Sequence, residues 1–214
     1  IEDVLSRKIK KIFCTNFKAD DISWLGKPKF FFEASGKNTS KSSCLKFLRK
    51  NTSYVVISAT SFDADKTLIY SFNHEEFNEN FKIISYGSCT VNAYLPLANY
   101  INNFYEIKDS DVSIVHNVPK YKLKNFNYIK RKNCTLEYSG PKLLECINKN
   151  NFKVNYVLIP YTGISSIDIR FAVKKIPKIE NFIDNLKKTI DSCQLKNIYG
   201  YNDLDTNPND FKLS

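Results

Sequence analysis

The sequence predicts an α/β fold: a parallel-type sheet in the first half, then a second half of helices and a strand–turn–strand pair. Three observations carry it. β-branched apolar runs alternate with helical patterns through the first hundred residues, the spacing of a right-handed strand–helix–strand crossover. Phe152–Pro160 and Ile164–Val173 alternate apolar and polar residues around the turn Tyr161-Thr162-Gly163, a strand–turn–strand pattern. Finally, 43% hydrophobic and 14% aromatic residues in a chain of 214 can fill a real core, which excludes a disordered chain or a disulfide mini-scaffold.

The elements follow in order. Phe30–Glu33 is a short apolar strand closed by the turn Ala34-Ser35-Gly36. Thr39–Lys50 predicts a helix with Thr39 as N-cap and Cys44, Leu45, Phe47 and Leu48 on its apolar side. Tyr54–Ser58 is a buried-type strand, and Thr67–Phe72 and Phe81–Ser85 are two more. The last runs through Tyr86-Gly87-Ser88-Cys89-Thr90 into a helix bearing Val91, Tyr94, Leu95, Ala98 and Ile101, with Pro96 expected to kink it. Val112–Val115 is a strand that delivers His116. Pro141–Ile147 and Ile179–Ile190 are helical patterns.

No apolar run approaches the length of a membrane span, and no secretory signal follows the N-terminus. The chain contains no methionine, initiator included, which reads as a processed or partial sequence. Its net charge of +10 suggests an anionic partner. The lysines, however, come with many Asn, Ile, Phe and Tyr residues and are spread along the chain, dense only at Lys8–Lys11 and Lys120–Lys132. The charge therefore reads as a solvated surface, not a nucleic-acid interface. Cysteines 14, 44, 89, 134, 146 and 193 form no Cys-x-x-Cys pair, and His74 and His116 are the only imidazoles, so no metal site is expected. Free thiols in a cytoplasmic protein are the expectation.

Cys89 stands just before a helix, where unpaired backbone N–H groups and the helix dipole lower a thiol pKa. A histidine within reach would remove the thiol proton, and the same amides could hold an oxyanion. The alternative is a small buried hydrophobe, the commoner state of a cysteine.

The segment Ser88-Cys89-Thr90-Val91-Asn92-Ala93-Tyr94-Leu95-Pro96-Leu97-Ala98 resembles the catalytic segment of glyceraldehyde-3-phosphate dehydrogenases. Ile57-Ser58-Ala59, Phe72-Asn73-His74-Glu75-Glu76-Phe77, Val115-His116 and Leu195-Lys196-Asn197-Ile198-Tyr199-Gly200-Tyr201 resemble further family segments in the same order. The resemblance implies an incomplete Rossmann-type NAD(P)-binding half over residues 1–87, its first βαβ missing, and a C-terminally truncated α+β catalytic domain with a mixed sheet over 88–214. It implies Cys89 as nucleophile and His116 as general base in oxidising an aldehyde, with hydride passing to NAD or NADP and a thioester left for inorganic phosphate. Ser88, Thr90, Ser139 and Gly140 would bind substrate or phosphate; Ser35, Gly36, Ser58, Ala59 and Asn92 would face the cofactor. A small aldehyde or phosphorylated sugar as substrate, a homo-oligomer and a cytoplasmic location complete the implication.

Departures stand beside it. The family's Gly-rich phosphate loop has no counterpart among six dispersed glycines. Its phosphate-binding Arg falls at Leu158, and the hydroxyl residues after the catalytic His fall at Pro119 and Tyr121. A triose phosphate in the usual pose is therefore not expected. Two other readings stay open: a degenerate paralogue serving as a structural or assembly subunit, and a basic nucleic-acid-binding protein on a dehydrogenase scaffold.

Overall fold

The computed structural model describes residues 18, 22, 25–118, 129–160, 163–192 and 194–204. The Lys8–Lys11 run, most of Lys120–Lys132, Cys14, Cys193, Pro119, Tyr121 and the Tyr161-Thr162 turn lie outside them. The chain divides into two compact units; the first takes residues up to Thr67 plus Asn78–Tyr86, and the second takes Leu68–Phe77 and the residues from Gly87 on. The architecture is mixed α/β with two four-stranded sheets.

The first unit holds β1 (Phe30–Glu33), α1 (Lys41–Cys44), β2 (Tyr54–Ile57), β3 (Lys66–Thr67) and β4 (Ile83–Ser85). Its sheet runs β1-β2-β4-β3 and every pairing is parallel. All four residues of β2 are buried, as a continuous Tyr-Val-Val-Ile run requires in an inner parallel strand. Phe31 stacks on Phe47 at 4.3 Å, and both pack with Cys44, Val55, Ile57 and Ile83.

Two local expectations change here. The helix expected over 39–50 is one turn of α-helix capped by Ser40, not Thr39, followed by a 3-10 turn over Leu45–Phe47. Ser40 and Ser43 satisfy each other's backbone N–H groups at 3.2 Å, a closed capping box that fixes the start one residue later. The strand expected over Thr67–Phe72 is cut to Lys66–Thr67. Asn73 Oδ1 accepts the Ile69 N–H at 2.7 Å, and the Ile69 carbonyl accepts from Phe72 and Asn73, so a side chain closes a turn where a ladder would continue.

The second unit holds α2 (Cys89–Tyr105), β5 (Ile107–Asn117), β6 (Lys130–Arg131), α3 (Thr135–Leu143), β7 (Phe152–Ile159), β8 (Ser166–Val173) and α4 (Ile179–Ser192). Its sheet runs β6-β7-β5-β8, with β5 parallel to β7 and antiparallel to β8. The two C-terminal strands therefore flank β5 and do not form the hairpin that their sequence spacing suggests. Along β5, Ser110, Val112 and Ile114 are buried while Asp111, Ser113 and Val115 are exposed, the alternation of a sheet covered on one face.

The covering helix is α2. Val91, Tyr94, Leu95, Ala98 and Ile101 recur at helical spacing and pack with Val112, Ile114, Leu136, Ile147, Phe152 and Leu195. Each fully buried Leu or Ile contributes about 1.5–3 kcal/mol. Tyr94 is fully buried, and its hydroxyl donates to Ser110 Oγ at 2.9 Å, so the polar tip is satisfied inside the core. Leu136 shows why α3 begins at Thr135 and not at Pro141: the earlier turn supplies a residue with no exposure. No helix among the described residues is long and apolar enough to cross a membrane.

Candidate functional site

The site grows from the turn Gly87-Ser88 that opens α2. Gly87 adopts φ +72°, and a Cβ there would stand 3.0 Å from Ile69 Cδ1 and 3.3 Å from Val91 Cγ1, so glycine is required for the chain to turn into the helix. Ser88 is the N-cap of α2; its Oγ accepts the Val91 N–H at 3.3 Å, which places Cys89 as the first helical residue. Cys89 is exposed, as a reacting thiol must be.

His116 arrives from β5. It shares a face with the buried Val112 and Ile114, because residues two apart on a strand point the same way. Its Nε2 lies 3.5 Å from Cys89 Sγ, and its Nδ1 lies 2.8 Å from the Asn117 carbonyl. A carbonyl only accepts, so Nδ1 carries the proton and Nε2 turns a lone pair toward the thiol. Ser165 donates to Asn117 Oδ1 at 3.2 Å, which ties the same residue to the segment before β8.

A hydroxyl cluster surrounds the cap. Thr135 Oγ1 donates to Ser88 Oγ at 2.7 Å, Ser88 Oγ and Thr90 Oγ1 are 3.0 Å apart, and Thr90 Oγ1 lies 3.5 Å from the buried Cys134 Sγ. Asn92 returns its amide to the Ser88 carbonyl at 2.9 Å. The two residues expected to share this cluster are elsewhere. Ser139 and Gly140 are buried within α3, where a Cβ on Gly140 would meet Ile147 Cδ1 and Phe152 Cε1 at 3.3 Å each. Thr135, one helical turn earlier, makes the contact with Ser88. Its signal was the Cys-Thr pair ahead of an apolar pattern, which marks a helix start as well as Pro141 does.

The thiol is not tuned as its sequence position suggests. Burial of its surroundings pushes the Cys89 pKa up, nearby Cys134 adds to the rise, and the Thr90 and Cys89 N–H groups pull it down without prevailing. The atoms packed around the sulfur thus work against the N–H groups of the helix start, although Cys89 itself is exposed. Tyr156 lies near the imidazole, its ring centroid 5.6 Å from the His116 ring. Its phenol is pushed up to about 12, chiefly by burial and then by the charges of Cys134 and Cys89.

Leu158 stands directly across from His116 on β7, and Lys130 on β6 stands across from Leu158. The position where the resembling family has arginine is thus in the row of the histidine and holds a half-buried aliphatic chain. No group of His, Cys, Asp and Glu residues able to hold a metal ion occurs among the described residues.

The cofactor-side candidates Ser35, Gly36, Ser58 and Ala59 lie in the first unit, at the carboxyl ends of β1 and β2, the edge where open α/β sheets bind ligands. Ser35 and Asn38 both bond the Glu33 carboxylate, the latter at 2.9 Å, and Ser58 donates to the Glu33 carbonyl at 3.2 Å. Gly36 adopts φ +69°, and a Cβ there would meet nothing within 4 Å, an open approach for a ligand. Asn92, the fifth candidate, belongs to the second unit.

His74 stands apart from the thiol. It lies in a 3-10 turn, accepts the Ser71 N–H on Nδ1 at 3.0 Å and packs on Tyr70 at 4.7 Å. A cleft of about 630 Å³ there, lined by residues 70–76 and by Gln194, Lys196 and Asn197, shares no residue with the Cys89 site.

No family model matches the chain. Single relatives do. Over 198 residues it is 27% identical to the cytosolic glyceraldehyde-3-phosphate dehydrogenase of Magnolia liliiflora, covering 86% of this chain and 57% of that protein. Over 211 residues it is 28% identical to the cytosolic enzyme of Sinapis alba, covering 90% and 60%. Over 184 residues it is 24% identical to glyceraldehyde-3-phosphate dehydrogenase 1 of Bacillus cereus, covering 80% and 55%. The chain thus spans little more than half the length of these relatives. Plant and bacterial enzymes of one kind align along most of its length. Along most of its length the chain is similar to glyceraldehyde-3-phosphate dehydrogenases, at 24–28% identity.

Proposed function

We propose that this chain carries the reacting half of an aldehyde dehydrogenase of the glyceraldehyde-3-phosphate dehydrogenase type. The carrying observation is the Cys89–His116 pair, Sγ to Nε2 3.5 Å, with the imidazole tautomer set by the Asn117 carbonyl. His116 Nε2 takes the thiol proton as Sγ adds to the aldehyde carbon, and the resulting imidazolium can return it to the adduct oxygen. Ser88, Thr90 and Thr135 form a bonded hydroxyl cluster at the start of the helix that carries Cys89, a polar group suited to an anion such as inorganic phosphate.

The carboxyl edge formed by Glu33, Ser35, Gly36 and Ser58 suits part of a dinucleotide: an open glycine, an exposed serine and a buried carboxylate meet there. NAD or NADP, when bound, supplies the acceptor for the hydride lost from the Cys89 adduct. The substrate is a small aldehyde, and Leu158 in the row of His116 argues against a phosphate gripped at that point. A homo-oligomer in the cytoplasm is proposed with it, by analogy with the relatives, two of which are named as cytosolic.

A second reading, a structural subunit without catalysis, is favoured by the raised Cys89 pKa and by Leu158. Iodoacetamide separates the two. At neutral pH it should label Cys89 ahead of the other five thiols, and His116→Asn should slow that labelling by roughly tenfold or more. Uniform labelling of all six would remove the catalytic reading.

A further inference from the structure

Tyr156 on β7 pairs in register with Ile114 and so lies on the sheet face that carries His116, two residues further along β5. Its ring is 5.6 Å from the imidazole at a tilt of 54°. It is half-buried and close enough to Cys89 and Cys134 to feel the charge of either thiolate. Two tyrosines packed into this unit have bonded hydroxyls: Tyr94 donates to Ser110, and Tyr199 donates to the Ala93 carbonyl. The Tyr156 hydroxyl donates to none of the described residues. A phenol beside a thiol–imidazole pair, protonated at neutral pH and with its one O–H uncommitted, is a donor awaiting an oxygen.

We propose that Tyr156 is a catalytic residue: its hydroxyl donates a hydrogen bond to the carbonyl oxygen of the compound that adds to Cys89, stabilising the oxyanion as it forms. This rests on the reading of Cys89 and His116 as the reacting pair. As the Sγ–C bond forms, the thiol proton goes to His116 Nε2 and the carbonyl π pair moves to oxygen. Tyr156 keeps its proton throughout and only shares it. The donor selects electrophiles that develop an oxyanion over those that react by direct displacement.

Two reagents that attack the same sulfur separate these cases. p-Nitrophenyl acetate acylates a thiol through a tetrahedral oxyanion and expels p-nitrophenolate; iodoacetamide alkylates by displacing iodide and forms no oxyanion. In the unaltered chain both should modify Cys89. In Tyr156→Phe, acylation followed by p-nitrophenolate release should fall by roughly 10- to 100-fold, the scale of losing one oxyanion donor. Alkylation of the same variant should stay within about twofold, which also reports that the fold and the pair survive. Acylation that is unchanged in Tyr156→Phe overturns the proposal. So does an equal fall in both reactions, because the tyrosine would then act through the thiol or the fold. A different failure, preference of neither reagent for Cys89 in the unaltered chain, removes the reacting pair and with it the role of Tyr156.

Discussion

Thr135 donates its hydroxyl to Ser88 Oγ across 2.7 Å, so the first residue of α3 is bonded to the residue that caps α2. The bond holds together two helix starts that are 47 positions apart in sequence. Ser88 meanwhile accepts from Val91 N, which keeps Cys89 at the first helical position. Thr135→Val, nearly isosteric, should cost about 1–2 kcal/mol in urea unfolding, because Ser88 and the half-buried threonine site lose a partner together. Thr135→Ser should recover most of it. A neutral Thr135→Val would show that solvent replaces the bond without loss.

Tyr199 repairs a weakness that the sequence builds into α2. Pro96 lies inside the helix and has no N–H to give the Asn92 carbonyl. One rung on, the Tyr199 hydroxyl accepts the Leu97 N–H at 3.3 Å and donates to the Ala93 carbonyl at 2.8 Å, bridging the two ends of a single helical rung. Tyr199→Phe should therefore destabilise by about 1–3 kcal/mol, the range for buried backbone groups losing a partner. Pairing it with Pro96→Ala should recover part of the loss, since the rung can then close on itself. Equal losses in both backgrounds would separate Tyr199 from the proline.

The elevated thiol has its own signature. With the Cys89 pKa pushed above the ordinary value of 9.0 by burial, the thiolate fraction at pH 7 is small. The rate of alkylation of Cys89 should keep rising with pH beyond 9.0, while a fully solvated thiol levels off near its ordinary value. A plateau below pH 8 would mean that His116 and the helix start govern the thiol more strongly than the atoms packed around it do.

Alkali should also unfold the second unit. Tyr94 and Tyr199 both have pKa values raised well above the ordinary 10.0, burial being the largest cause in each. Below pH 10 both states hold the proton and the tyrosines contribute their full share. Above it the unfolded chain ionises first, so it binds fewer protons and stability falls as pH rises, by about 1.4 kcal/mol per pH unit for each such tyrosine. Tyr94→Phe should flatten that limb of the stability curve, measured by urea unfolding from pH 9 to 11. An unchanged slope would mean that other groups control alkaline unfolding.

Legibility in the sequence differs by element. Phe30–Glu33 and Ile179–Ile190 are legible almost to the residue, because a bounded apolar run and a strong helical period each have one solution. Thr67–Phe72 is not, since Asn73 takes the Ile69 N–H and nothing in an apolar pattern announces that side-chain turn. In the site, Cys89 and His116 can be paired through the family resemblance, and their 3.5 Å separation gives that pairing a geometry. Tyr156 and Thr135 are invisible for a physical reason. Their importance comes from β-register and from a helix start that Pro141 disguises, both products of long-range packing and not of local spacing.

Leu158 supplies the last test. It sits in the same cross-strand row as His116, half-buried, with Lys130 on the far side. An arginine in that row would aim a planar, doubly donating cation toward a ligand beside Cys89, as a leucine cannot. If the hydroxyl cluster already suits an anion, Leu158→Arg should strengthen anion binding by about 1.5–3 kcal/mol, roughly 10- to 150-fold, the range for a hydrogen bond to a charged group. Inorganic phosphate gives the readout: it should protect Cys89 from iodoacetamide at a correspondingly lower concentration in the variant than in the unaltered chain. Protection that does not change would place the arginine away from the thiol and would take Leu158 out of the account of the lost phosphate grip.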